Sequence, residues 1–175
     1  MICSMRWIPF AICSALVAAG IYAVGLATPA TPPTIQGDTL GIEPGEGWSE
    51  YEVRAGASIS EGSEPSFGLV TFARPLSPSE AAAAVASLQR VNGLLLIDAP
   101  LTPTPEPPPG QTRADVFARI TDQRIVAVVA YDTPDTFKNV AHGTDVAVVE
   151  MLPPDAVWGS FAVLPWHGDH PATGV

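Results

Sequence analysis

Two imidazoles and a carboxylate fall within four residues at His167-Gly168-Asp169-His170, a donor set suited to zinc or nickel. The competing account is a solvated polar tail, because glycine and proline surround the set near the end of the sequence. His142 has the position of a cation meeting a helix C-terminus, which gives it a structural role. Asp132 and Asp135 flank the start of the same short helix, where they serve either a hard cation or, more economically, the helix cap. Asp98 and Glu150 close two expected strands and form a carboxylate pair only if those strands are neighbours. Lys138, the single lysine, is flanked by Phe137 and Val140 and reads as a helix-surface residue.

Other chemistries lack their parts. Beyond the N-terminal apolar stretch there is no cysteine, no Gly-x-Ser-x-Gly elbow and no glycine-rich phosphate loop between a strand and a helix. No cofactor is implied. Trp158, Phe161 and Trp166 gather late in the chain and would make a binding patch if they lined one face, with packing of a last strand as the alternative.

The 175 residues carry 18 acidic and 8 basic side chains, a formal net charge of −10, and seven of the basic residues are scattered after residue 30. No Lys/Arg cluster is available to neutralise a run of phosphates, so nucleic acid is not an expected partner.

From Trp7 to Ala27 there are 21 uncharged residues, enough at 1.5 Å per residue to span a hydrocarbon core of roughly 30 Å. Trp7 and Tyr22 suit the two headgroup layers, and Arg6 before the stretch, with no Lys or Arg until Arg54, orients the N-terminus inside. A cleaved signal peptide, which would leave a secreted product, is the rival: Gly25-Leu26-Ala27 offers a small-x-small site, but the apolar run exceeds the usual 7 to 15 residues or so. Ala11, Ala15, Ala19, Ala23 and Ala27 form a four-residue repeat suited to a homodimer or partner helix, although alanine is abundant throughout the chain.

The reading therefore divides the chain into a transmembrane signal-anchor at 1–27, a Pro/Gly-rich tether at 28–49, an extracytoplasmic α+β domain at 50–166 and a tail at 167–175. Within the domain, Phe67–Phe72, Leu94–Ile97, Ile125–Ala130 and Asp145–Glu150 read as buried strands. Ser77-Pro78-Ser79-Glu80 starts a helix with a capping box, and its apolar face runs to a stop at Gly93. Thr133-Pro134-Asp135 starts a second helix, of about two turns, closed by Gly143.

Val116–Ile120 is expected as one arm of a hairpin in preference to a helix capped by Thr112. Tyr51–Ala55 is expected as an edge strand and Val157–Leu164 as a last strand. Pro100–Gly110, with six prolines in its first ten residues, is expected as an exposed loop. Two strand-helix-strand units in succession imply a ferredoxin-like split βαβ sandwich with extra edge strands.

The functional expectation is a membrane-anchored extracytoplasmic binding or interaction module for a protein or peptide, without catalysis. The rival is a metal-dependent enzyme or small-ligand sensor drawing on His142, His167, His170, Asp132, Asp135 and Asp169.

Overall fold

The computed structural model describes residues 37–166. These form β1 (Thr39–Leu40), α1 (Trp48–Glu61), β2 (Ser66–Leu76), α2 (Pro78–Ala84), β3 (Arg90–Leu96), β4 (Thr102–Pro103), α3 (Arg113–Ile120), β5 (Ile125–Asp132), α4 (Pro134–Ala141), β6 (Val146–Met151) and β7 (Ala162–Val163). The result is a mixed α+β arrangement. Five strands make one sheet in the order β4-β3-β5-β2-β6, antiparallel at every pairing, while β1 and β7 form a separate parallel pair.

Local chemistry sets the helix starts. The Ser77 hydroxyl accepts from the Glu80 N–H and the Glu80 carboxylate accepts from the Ser77 N–H at 2.8 Å, with Pro78 at the first helical position. Thr112 and Asp115 repeat this reciprocal pattern at α3, and Thr133 accepts from the Thr136 N–H at α4. His142 caps the C-terminus of α4, as its position in the sequence suggests, and the Gly143 N–H closes on the Val140 carbonyl at 2.9 Å.

Side-chain alternation along the strands buries both faces of the sheet. On one face Val70, Phe72, Val128 and Val149 pack against Ala81 and Val85 of the α2 segment, Phe117 of α3 and Phe137 and Val140 of α4. On the other, Phe67, Leu69, Leu95, Ala127 and Val129 lie beneath Leu40, Leu152, Ala156 and the partly buried Leu101, Trp158, Phe161 and Val163. That second layer contains no helix; it is assembled from the two ends of the described chain together with Leu101, which follows β3. Gly68 sits where a Cβ would lie 2.8 Å from Phe137 Cζ and 2.9 Å from the Glu150 carbonyl oxygen, so its missing side chain lets α4 and β6 close on β2.

Several expectations are corrected. Tyr51–Ala55 is part of α1 and not an edge strand: Trp48, Tyr51, Ala55 and Ile59 recur at helical spacing, and Glu50 accepts from the Gly47 N–H at 3.1 Å to start the turn. Val116–Ile120 lies in α3 and not in a hairpin arm, because the Thr112 cap commits the backbone to a helix that buries Val116 and Phe117 on one side. α2 ends at Ala84 rather than running to Gly93, which lies inside β3. The guanidinium of Arg113 takes the Val85 and Leu88 carbonyls at 2.6 and 2.9 Å, satisfying a helix end that stops early enough for Arg90 to begin pairing with Tyr131.

Of Val157–Leu164 only Ala162–Val163 is strand, and it joins β1 in place of the main sheet. The fifth strand of the main sheet comes instead from the proline-rich loop, as β4. Residues 37–49 of the expected tether do not run free: Leu40 is fully buried and pairs with Val163. Among the described residues no helix is long and apolar enough to cross a membrane, and the expected span Trp7–Ala27 with its alanine repeat lies outside them.

Two expected outcomes follow from this packing. Gly68→Ala should destabilise the fold by about 1–3 kcal/mol through overpacking against backbone, read as a lower urea midpoint at unchanged slope. At α2, the Ser77 hydroxyl and N–H, with help from Arg74, lower the Glu80 pKa to about 2. Because this lies below the unfolded value, the stabilisation is complete above the ordinary carboxylate range and lost as pH falls toward the lowered pKa. The stability gap between the native chain and Glu80→Gln should accordingly be largest near neutral pH and close in acid, which chemical unfolding across pH measures.

Candidate functional site

Glu150 stands on β6, only 3% exposed, and a carboxylate so buried must be compensated. One oxygen accepts from the Gly41 N–H at 2.7 Å and the Tyr51 hydroxyl at 3.2 Å; the other accepts from the Arg54 guanidinium. Arg54 also grips both carboxylate oxygens of Glu46 and donates to the Gly41 carbonyl at 2.9 Å. Burial raises the pKa of Glu150 against the opposing pull of Gly41, Arg54 and Tyr51. Burial and the neighbouring Glu150 charge raise that of Tyr51, whereas Arg54 lowers that of Glu46. Every group in this cluster is consumed in tying α1 and the segment at Gly41 to β6, so it is a fastening.

Asp132 is consumed in the same way. Its two oxygens accept from the Gln89 N–H at 2.6 Å and the Thr133 N–H at 2.7 Å, while Asp135 lies exposed beside Lys138. Asp98 and Glu150 do not form a pair: Asp98 follows β3, and its N–H donates to the Trp166 carbonyl at the other side of the sheet order from β6. Among the described residues no group of three His, Cys, Asp or Glu side chains is placed to hold a metal ion, and His167, Asp169 and His170 lie outside them.

The aromatic residues behave differently. Trp158 and Phe161 meet edge to face at 5.9 Å, and both pack on Phe67, at 5.6 and 5.2 Å, which in turn meets Tyr131 at 5.0 Å. Trp166 does not join them; its ring packs against Trp48 at 6.2 Å. With Leu101, Pro103, Gly159 and Val163, the rings of Trp158 and Phe161 line an open groove of about 280 Å³. Its floor is the second core layer and its two walls come from the β4 and β7 segments. Gly93 permits this closeness, since a Cβ there would lie 3.0 Å from two Leu101 side-chain carbons.

A second, wider hollow of about 460 Å³ runs between α2 and α3 beside Arg113, but the guanidinium there is already taken by backbone carbonyls. The aromatic groove is therefore the candidate site. Leu101, Gly159 and Val163 carry no sequence signal of their own, and Pro103 reads only as part of the proline loop. The signal that Pro103 lies in an edge strand, with Leu101 just before it, is the buried partner strand Arg90–Leu96 nearby, and proline content obscures it.

The chain matches no protein-family model, no curated protein and no solved structure.

The fastening at Glu150 carries its own expected outcome. Glu150→Ala orphans the Gly41 N–H and takes an acceptor from the Tyr51 hydroxyl and the Arg54 guanidinium, and should cost about 3 kcal/mol, with loss of near-UV aromatic dichroism as Tyr51 loosens.

Proposed function

We propose that the chain is a membrane-anchored extracytoplasmic binding module for a protein or peptide, held by the N-terminal apolar segment with its N-terminus inside and its domain outside. We further propose a ferredoxin-like split βαβ core, supported by the strand order: β5 separates β2 from β3, and β2 separates β5 from β6, in two successive strand-helix-strand units. That architecture hosts many unrelated activities, so the functional reading rests on the site alone.

The observation that carries it is the groove. The rings of Trp158 and Phe161, partly buried on the second core layer, still line an open groove, whereas the charged groups best placed for chemistry, Glu150, Arg54 and Asp132, are spent on structural bonds. Half-buried aromatic rings and an exposed proline around a hollow the size of a side chain are what a peptide-recognising surface offers. The net charge of −10 makes nucleic acid a poor partner and a cationic one a good partner.

The test is a photo-crosslinking residue placed at Pro103, on the groove wall, or at Asp122, exposed beyond α3, in the full-length chain in its native membranes. The proposal expects a discrete adduct from position 103, identified by mass spectrometry, that position 122 does not give. Identical yields from both positions, or no adduct, would overturn it.

A further inference from the structure

Resting on the binding-module reading, we infer that the groove takes an uncharged, proline-rich segment of a partner protein, held in the polyproline II conformation. The lining sets the class of occupant. Leu101, Pro103, Trp158, Gly159, Phe161 and Val163 surround the hollow of about 280 Å³, and none of them carries a charge. A charged ligand side chain would lose water there with nothing to pair it, so the segment in contact is uncharged. The net charge of the chain acts at range on residues flanking that segment and selects nothing inside the groove.

Hydrogen-bonding groups narrow the class further. β4 and β7 are two residues each, too short to extend a ladder. In the β1–β7 pair the Ala162 and Leu164 N–H groups donate to the Asp38 and Leu40 carbonyls at 3.0 and 2.9 Å, so the Val163 N–H between them faces away from β1. Pro103 has no N–H to add. The indole N–H of Trp158 has no acceptor among the described residues and is not closed off from solvent, Asn92 Oδ1 being the one side-chain atom there that is both buried and unpartnered. The groove therefore offers isolated donors set in an apolar wall. An ordinary extended peptide would press an N–H from nearly every residue against that wall, and each would lose water without gaining a partner. A proline-rich backbone brings carbonyl acceptors, no N–H at its prolines and no internal hydrogen bonds to break.

The rings favour the same ligand. Trp158 and Phe161 meet at 75°, an angled notch beside Pro103. Aromatic faces are electron-rich, and the C–H groups of proline next to its amide nitrogen are electron-poor, so a pyrrolidine ring gains an attraction there that a leucine side chain lacks. So small a hollow makes few contacts, which favours an occupant whose backbone is ordered before it binds. The chain's own proline run is committed elsewhere: the Thr104 N–H donates to the Asn92 carbonyl and the Glu106 carboxylate accepts the Val91 N–H at 2.9 Å, so this run forms a wall of the groove and is not its occupant.

The probe is the end-capped heptapeptide Ala-Pro-Pro-Ala-Pro-Pro-Ala, titrated onto the full-length chain and followed by fluorescence anisotropy and by the nuclear magnetic resonances of the Trp158 indole and Val163 amide N–H groups. The inference expects saturable binding that moves both resonances, and binding about tenfold weaker when leucine replaces every proline or lysine replaces the central alanine. Pro103→Arg, a change at an exposed position that puts a charge in the lining, should weaken the peptide by a similar factor. Equal binding of the leucine peptide, or saturable binding that leaves both resonances unmoved, overturns the proline reading while leaving the binding-module reading standing. A Trp158 indole resonance that moves with protein concentration in the absence of peptide assigns the groove to a second copy and overturns it as well. No peptide binding alongside a discrete crosslink from position 103 overturns this inference alone, whereas absence of both overturns the binding-module reading too.

Discussion

A buried carboxylate on an outer strand dictates how this domain is put together. Glu150 cannot be left in an apolar setting uncompensated, and its partners, Gly41, Tyr51 and Arg54, all come from the segment before the main sheet begins. Satisfying it draws α1 along β6, which also places the Ser58 hydroxyl where it accepts the outward Met151 N–H at 2.8 Å. The same pull delivers Leu40 to the second core layer, where it meets β7. One charge thereby determines the cover of an edge and half the cover of a face.

The opposite edge is handled by other means. Along β3 the Glu106 carboxylate accepts the Val91 N–H at 2.9 Å, Thr104 pairs with Asn92, β4 pairs with Gly93 and Leu94, and Trp166 bridges Ile97. Most of the sheet's outward donors are thus answered, and the prolines of the same loop offer no N–H to a neighbouring chain. With no cysteine after residue 13, this covering of edges and faces, and not a covalent crosslink, gives the domain its integrity. The groove is the gap that remains where the two coverings, from β4 and from β7, fail to meet.

What the sequence made legible were the units whose signals are local. Continuous β-prone runs such as Ile125–Ala130, and caps built from Ser77 with Glu80 or Thr133 with Pro134, announce themselves within a few residues. The failures share a cause. Tyr51–Ala55 alternates like a strand over five residues, and only the longer spacing from Trp48 to Ile59 reveals the helix. The role of Glu150 depends on residues 96 to 109 positions away, and the walls of the groove join Leu101 to Val163, so neither could be read along the chain. Trp158, Phe161 and Trp166 stand out together in the sequence, but only the first two share a ring contact, Trp166 meeting Trp48 instead.

The meeting of β1 with β7 has a consequence for where the molecule opens. Closing a loop between segments as far apart as Gly41 and Glu150, 109 positions in sequence, costs chain entropy that no local contact repays. The end segments are held by the two-residue β1–β7 pair and the Glu150 bonds, against the long ladders of the main sheet, so local opening is expected there first. One wall of the groove is thus carried on the least firmly held part of the domain. Anything held between the β4 and β7 segments would act as a clasp on that part, linking occupancy of the groove to the docking of the described domain's end segments.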